Sequence, residues 1–418
     1  MSIGYACLTI GVPHTGMKGC LLRNATPEKL SELTQHNLNS LENIIDYNIQ
    51  NEIRLFRISS DLIPFGSSPA NKHQWWEMFD TQLNKSGEKI RAGGMRVSMH
   101  PGQYTVLNSP DSGVVKRALE ELHYSACLLD SLGTDPSNKI ILHVGGVYGN
   151  KPRAMARFAE QYKDLDEAVK RRLVIENDDT SYHINDVLEL GAKLTIPVVY
   201  DNLHNLVNPS NTSKNDLYWI SAAAKTWRPE DGVQKIHYSQ QDKFKKAGSH
   251  SESISINEFM DFYQGLGKQK PDIMLEVKDK NLSAVKCILC TAEKKNIKAL
   301  ELEWSHYKYR VLEQSPQDYN EIRALLKNKA TYPALAFYHL IQNAAEQEPS
   351  PNNRINAALH IWGYFKHVAS EKEKTAFFKK LQAFEKDKLP ITSIKRTLWR
   401  MAEKYQQDYL LASYYFIE

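Results

Sequence analysis

Five cysteines in 418 residues, Cys7, Cys20, Cys127, Cys287 and Cys290, make an odd and sparse set. A disulfide framework is excluded on that count, and a reducing, cytoplasmic setting is expected. Cys287 and Cys290 form a CxxC, but no second pair stands nearby, so they read as ordinary helix residues rather than a zinc or redox site. No apolar run approaches the ~18 residues needed to cross a bilayer, and no membrane partner is expected. The first stretch, MSIGYACLTIGVPHTG, has no basic segment ahead of its apolar one, so no signal peptide is read. Internal repeats and low-complexity segments are missing too. Surplus charge is also lacking: 53 Lys and Arg against 49 Asp and Glu leave +4, too little to announce a nucleic-acid binder. Residues 313–418 hold 15 basic and 12 acidic side chains, so the 38 and 37 that remain for residues 1–312 nearly cancel. A near-neutral domain still binds an anion if its acids are sequestered as metal ligands.

What the chain does contain is alternation. Short apolar runs recur at 3–8, 53–60, 95–100, 139–146, 172–177, 197–202, 235–239 and 272–277. Amphipathic stretches lie between them, such as TPEKLSELTQHNLNSLENIIDYNI, where Leu30, Leu33, Leu41, Ile44 and Ile45 share one face behind a Thr26-Pro27 helix start. Nearly continuous apolar strands separated by helices argue for parallel β-structure covered on both faces. Eight such units over residues 1–312 predict an α/β fold, a (β/α)8 TIM barrel. An open doubly wound sheet would call for a glycine-rich dinucleotide fingerprint after the first strand, and GYACLTIG is not one. Beyond VLEQSPQD (311–318) the pattern is helical throughout, with a Ser370…Glu373 capping box, predicting a small all-α domain over 313–418.

In such a barrel the C-terminal strand ends converge on the face where chemistry occurs. Those ends read Tyr5, Arg57, His100, His143, Glu176, Asp201 with His204, Lys235 with His237, and Glu276 with Lys278, and the loop after the seventh strand adds His250. A lone strand-end histidine is ordinarily a hydrogen-bonded structural residue, and a lone glutamate is ordinarily solvated. Acids and imidazoles at successive ends demand a compensating positive charge, because buried carboxylates do not cluster without one. The donors are nitrogen and oxygen with no thiolate, a set suited to Zn²⁺, Mn²⁺ or Fe²⁺. Five histidines and three carboxylates exceed one coordination shell, so two or three divalent ions are expected. Clusters of that kind catalyse in-line phosphoryl displacement.

The motifs GYACL, FRISSDLIPF, SMHPGQYTVLNSP, LHVGGVYGNK, VIENDD, YDNLHN, KIHYSQ and LEVKDK, in that order over roughly residues 1–305, resemble those of the UV damage endonucleases. The resemblance implies a metal-dependent barrel related to endonuclease IV. It implies nicking of double-stranded DNA immediately 5′ of cyclobutane pyrimidine dimers, (6-4) photoproducts and often abasic sites, leaving a 3′-hydroxyl and a 5′-phosphate. Carried over, His100, His143 and Glu176 hold one ion. Glu176 bridges to a second held with Asp201, His237 and Glu276, while His204 and His250 hold a third. Lys235 matches a lysine that the family can carry carboxylated beside the metals; contact with phosphate is its plainer role. Gln103 and Tyr104 match residues that probe the lesion from within the duplex, filling the gap left by extruded bases. Tyr5 matches a site tyrosine, expected to serve catalysis and lesion contact. Mn²⁺ is the favoured ion, with Zn²⁺ or Mg²⁺ as alternatives, and a monomer is expected.

Two positions depart from the family pattern. Ser68-Pro69 stands where a His-Pro pair is usual, leaving one ligand missing; His73 is the nearest substitute, though it reads more readily as part of the following helix. Thr9 stands where an amide often follows the tyrosine motif. DNA contact must come mainly from backbone electrostatics, with Lys151, Arg153 and Arg157 at the start of the helix after the fourth strand and Lys243, Lys245 and Lys246 in the loop DKFKKAGSH as candidates. The C-terminal segment resembles a helical domain of unknown function; its Trp362, Tyr364 and Phe365 read as core at helical spacing. Two rival functions share these residues: a metal-dependent sugar isomerase on the same barrel, and a damaged-DNA binder that does not cut.

Overall fold

The computed structural model describes residues 1–417. Eight parallel strands run in the order β3-β2-β1-β8-β7-β6-β5-β4. They are β1 (Ile3–Ala6), β2 (Leu55–Arg57), β3 (Arg96–Ser98), β4 (Ile140–His143), β5 (Leu173–Glu176), β6 (Val198–Asp201), β7 (Lys235–Tyr238) and β8 (Asp272–Leu275). The two outer strands meet just past β3, where Met99 N donates to Lys139 O at 3.0 Å and Ile141 N donates to Met99 O at 2.9 Å. That parallel bridge between Met99 and Ile140 closes the ring, so the predicted (β/α)8 barrel is the fold.

Parity then decides which side chains enter the barrel, since alternate residues of a strand face opposite ways. Ala6 pairs with Arg57 and Arg57 with Ser98, Asp201 pairs with His237, and His143 pairs with Glu176, so these share the inner face. On the same face they are joined by small apolar clusters, Ala6 with Leu55 and Met274 on one side and Ile141, Val174 and Val199 on the other. The outer face carries the residues packed on helices. The helix Pro27–Gln50 buries Leu30, Leu33, Leu41, Ile44 and Ile45, and Thr26 caps it by accepting from Lys29 N at 3.3 Å. Each such side chain contributes about 1.5–3 kcal/mol by leaving water. At the opposite end of the barrel, buried Arg172 donates to Asp130 and to the carbonyls of Thr134, Asp135 and Asn138, which anchors the β4–β5 side.

The chain divides into two compact units, one of residues 1–9 with 14–285, the other of residues 10–13 with 286 onward. The second is helical, with helices Ile297–Gln314, Pro316–Leu325, Ala334–Ala345, Pro351–Trp362, Glu371–Glu385 and Ile391–Lys404. Ser370 and Glu373 form the capping box read in the sequence. Trp362 and Phe365 are core, and the Trp362 ring stacks on Phe377 with centroids 4.4 Å apart, whereas Tyr364 is exposed.

Gly4 shows how tightly β1 meets β2: a Cβ there would lie 1.7 Å from the Leu55 carbonyl oxygen. Gly4→Ala is therefore expected to lower stability by about 3 kcal/mol, the upper range of overpacking, read as a shift in the urea midpoint. An unchanged midpoint would mean that the two strands do not approach this closely.

Candidate metal centre

The inward residues at the strand ends come together as a single cluster. Glu176, ending β5, is fully buried. Its Oε2 lies 3.2 Å from His100 Nε2 and 3.8 Å from His143 Nε2. Its Oε1 lies 2.6 Å from His237 Nδ1 and 3.6 Å from His204 Nδ1. The imidazoles crowd one another, with ring centroids 5.1 Å apart for His100 and His143, and 5.6 Å for His143 and His204. Glu276, just past β8, lies 3.3 Å from His237 Nδ1 and 3.7 Å from His250 Nε2. All eight residues expected as ligands thus belong to one contact network.

Local structure aims each group. Asp201 ends β6 and caps the short helix Asn202–Val207, its Oδ1 accepting from His204 N at 2.7 Å. One backbone turn therefore delivers both Asp201 and His204. Buried Asn177 clamps the same strand end by donating to Asp201 O at 3.0 Å and accepting from Asp201 N at 2.9 Å. His204 Nδ1 lies 2.9 Å from the Asn177 carbonyl. Arg57, ending β2, reaches Glu276 Oε1 at 2.5 Å and His237 Nε2 at 2.9 Å.

These residues fit divalent ions. Two groups, His100–His143–Glu176 and Glu176–Asp201–His237, each bring three ligand atoms within 4.8 Å of one another. Asp201 Oδ2 and His143 Nδ1 are buried with no hydrogen-bond partner among the described residues. An unsatisfied buried carboxylate oxygen costs free energy that a cation would recover. Burial pushes the Asp201 carboxyl up, and the neighbouring Glu176 and Glu276 charges add to that. Burial also works to raise Glu176, but His237, His143 and His100 outweigh it and hold the carboxyl well below its usual range. Burial and the Arg57 charge bring His100 down to about 4. His204 goes the other way, up to about 9, because Asp201, Glu176 and Glu276 overcome its burial.

Three expected residues are placed differently. Tyr5 has the parity of Phe56 and Leu275, the outer face, and is fully buried there. Its hydroxyl donates to Asn48 Oδ1 on the helix Pro27–Gln50 at 2.9 Å and lies 2.6 Å from Thr9 Oγ1. It is not brought to the cluster, where its expected catalytic and lesion-contacting role would have placed it. Lys235 opens β7 instead of ending it, on the same face as His237 but deeper. It is fully buried, its Nζ lacks a hydrogen-bond partner among the described residues, and burial together with Arg96 and Arg57 holds the amine well below its usual range. His73 precedes its helix, and its Nε2 lies 2.8 Å from the Pro27 carbonyl, so it does not stand in for the absent histidine. Ser68 instead lines a cavity of about 570 Å³ together with Gly102 and Tyr104.

Around the mouth, the turn closed by Thr105 N donating to Gly102 O at 2.9 Å carries Gln103 and Tyr104 at its tip, and Tyr104 is 84% exposed. Arg153 and Lys246 are exposed, while Lys151 is paired with Asp186 at 2.7 Å and Lys245 with Glu252 at 2.8 Å. Arg157 is tied to the Asn108 carbonyl at 2.8 Å. Two residues carry more than the sequence suggested. One is Arg57, whose signal was a cation at a strand end. The other is Phe244, 97% exposed within DKFKKAGSH, on a loop braced by the Gln241–His250 bridge. An aromatic amid three lysines was its signal.

Parallel barrel and inward imidazole–carboxylate cluster together define a TIM barrel with a candidate multi-ion centre. Residues 3–305 match the family model described as UV-endonuclease UvdE, and the chain belongs to that family. A UV DNA damage endonuclease of Clostridium perfringens is 40% identical over 409 residues, 95% of this chain and 97% of the relative. One of Bacillus cereus is 32% identical over 290 residues, covering 68% of this chain and 90% of its own length. The crystal structure of SacUVDE superposes with a TM-score of 0.66 at 35% identity, over 70% of this chain and 98% of that one. Residues 308–418 match the model of a family described only as a protein of unknown function (DUF1722). No helix among the described residues is long and apolar enough to cross a membrane.

The raised His204 value carries a sign. A histidine held above its ordinary 6.5 adds stability that is complete below that pH and lost as pH rises through about 9. His204 should contribute a loss on the order of 3 kcal/mol between pH 6.5 and 9.5 in chelator-treated protein, read as the difference in pH slope between wild type and His204→Asn, because the buried Lys235 amine pulls stability the other way over the same range. Denaturant melts at the two pH values check this; equal slopes would remove His204 from the acidic cluster.

Proposed function

We propose that this chain is a metal-dependent DNA repair endonuclease that nicks double-stranded DNA immediately 5′ of UV photoproducts, cyclobutane dimers and (6-4) products, and also at abasic sites. The observation that carries the reading is the inward parity of His100, His143, Glu176, Asp201, His237 and Glu276 around one mouth. The two named relatives and the solved structure, all UV damage endonucleases by their names, support the substrate.

Two or three divalent ions are proposed, Mn²⁺ first and Zn²⁺ or Mg²⁺ as alternatives. His100, His143 and Glu176 would hold one; Glu176, Asp201, His237 and Glu276 a second; His204 and His250 a third. Bound divalent ions supply charge neutralisation for in-line displacement at a phosphodiester. Glu176 suits the bridging role because its two oxygens face different histidines. Asp201 commits Oδ1 to the helix cap and keeps Oδ2 for the site. Arg57 orients His237 and Glu276 from behind, as outer partners of metal ligands do. Full burial keeps the Lys235 amine from a phosphate, which favours its carboxylated form over direct contact.

The rim serves DNA. Tyr104 beside Gln103 projects from its turn to take the place of extruded bases, and Phe244 projects from the basic loop that ends in His250. Arg153 and Lys246 are available to phosphates as they stand, whereas Lys151 and Lys245 would first leave their carboxylates. Such protruding aromatics have no use in a polyol-sized sugar pocket. The activity is assigned to residues 1–312 acting as a monomer, with 313–418 outside the chemistry.

Glu176→Gln tests the centre. On a duplex with one dimer, incision should fall at least about a thousandfold, with fold and DNA binding retained. Full activity in that variant would overturn the assignment. Tyr104→Ala and Phe244→Ala should each cut the preference for damaged over intact duplex about tenfold, with metal content unchanged. Equal preference in variant and wild type would remove these rings from lesion contact.

A further inference from the structure

The helical unit carries two cations that share one aromatic hollow. Lys308 follows Trp304 by one helical turn on Ile297–Gln314, and Arg323 follows Tyr319 by one turn on Pro316–Leu325. These four side chains line a cavity of about 440 Å³ together with Tyr409. That volume falls in the range of about 300–1,000 Å³ typical of small-ligand sites. Lys308 Nζ lies 4.9 Å from the Tyr309 ring centroid and 6.0 Å from that of Tyr409, and the Arg323 guanidinium lies 5.6 Å from that of Tyr319. The one carboxylate that lines it among the described residues, Glu301, is ion-paired with Lys329.

Cations laid over rings are common on protein surfaces and by themselves ask for no ligand. Here two of them face one hollow, and neither is ion-paired with a carboxylate of the described residues that line it. Burial and the Arg323 charge both lower the Lys308 amine, as expected where like charges are crowded together. An incoming anion would relieve that repulsion. The walls add a second requirement, for a flat apolar surface: Trp304 and Tyr319 lie 5.4 Å apart, and Tyr409 stacks on Tyr364 with centroids 5.8 Å apart, both tyrosines more than a third exposed. A planar ring joined to an anion is the chemistry of a nucleotide. Bases in a duplex have their faces covered by neighbours, so a stacking wall selects an unpaired strand.

We propose that this hollow seats a nucleotide of unpaired DNA, its base against the Trp304, Tyr319 and Tyr409 rings and its phosphate between Lys308 and Arg323. The helical unit is then a single-strand contact in its own right, independent of incision by the barrel.

The test uses the full-length protein and an oligothymidine carrying 5-bromodeoxyuridine. Ultraviolet crosslinking followed by peptide mapping should place adducts on Trp304, Tyr319 or Tyr409, and unlabelled oligothymidine should compete them away. Lys308→Gln with Arg323→Gln should weaken binding of a fluorescent oligothymidine about tenfold and reduce the log–log salt slope by roughly 1.4, two phosphates at about 0.7 each. Adducts confined to barrel peptides would overturn the proposal. So would wild-type affinity and salt slope in the double variant. Saturable binding of free thymidine monophosphate with no strand adducts in the hollow would mark a free-nucleotide site and also overturn it. Because the crosslinks are read on the wild-type chain, they decide the matter even if the double variant fails to fold.

Discussion

The mouth of the barrel is arranged around one carboxylate that solvent does not reach. Glu176 would be untenable alone, since a buried unpaired charge costs several kcal/mol. Histidines from β3, β4 and β7 converge on it, and His204 joins from the turn after β6. That convergence requires strands of matched parity and a closed ring, because an open sheet would leave His100 and His143 at opposite edges. The Met99–Ile140 bridge is therefore as much a part of the site as any ligand: it seats the β3 and β4 histidines side by side.

Much of this arrangement was legible in the sequence because strand ends are easy to find and acids there are hard to excuse. The barrel and most of the acids and imidazoles that meet at its mouth could be read from runs and their terminal residues; the proposed ligand groupings and the roles of Gln103 and Tyr104 rest on the family resemblance. Two properties of a strand end, parity and height, account for the placement of Tyr5 and Lys235. A strand end is two adjacent residues, and only one of them faces inward. Tyr5 sits one position from inward Ala6, so proximity in sequence suggests the site while parity sends its ring to Asn48. Lys235 has the right parity but the wrong height, because KIHYS gives no sign of where its hydrogen-bonded ladder begins. Asn177 and Arg57 act through other residues, Asn177 by clamping a backbone and Arg57 by holding two side chains. Such roles leave no mark in spacing.

The rim follows a different logic. Its cations are partly committed to neighbouring acids, and the rings of Tyr104 and Phe244 stand almost fully exposed. On the proposed function, grip on the phosphates would be modest and selection would fall to rings that need a distorted or opened duplex to be buried. The same pairing of aromatic walls with unneutralised cations recurs in the helical unit, on a scale that suits one nucleotide. On these two proposals a chain of nearly balanced charge would engage DNA twice, once through a rim with a short basic loop and once through a hollow with two cations.

Whether this ring of inward acids and imidazoles is a multi-ion phosphodiesterase centre can be decided in one titration. The protein is stripped of metal and Mn²⁺ is added back in the presence of an end-labelled duplex containing one dimer, with the products resolved to the nucleotide. A multi-ion centre predicts a single cut immediately 5′ of the dimer that develops only once two or more equivalents are bound. Binding of the damaged duplex with no cut at any Mn²⁺ level, or a cut that persists without metal, would contradict it.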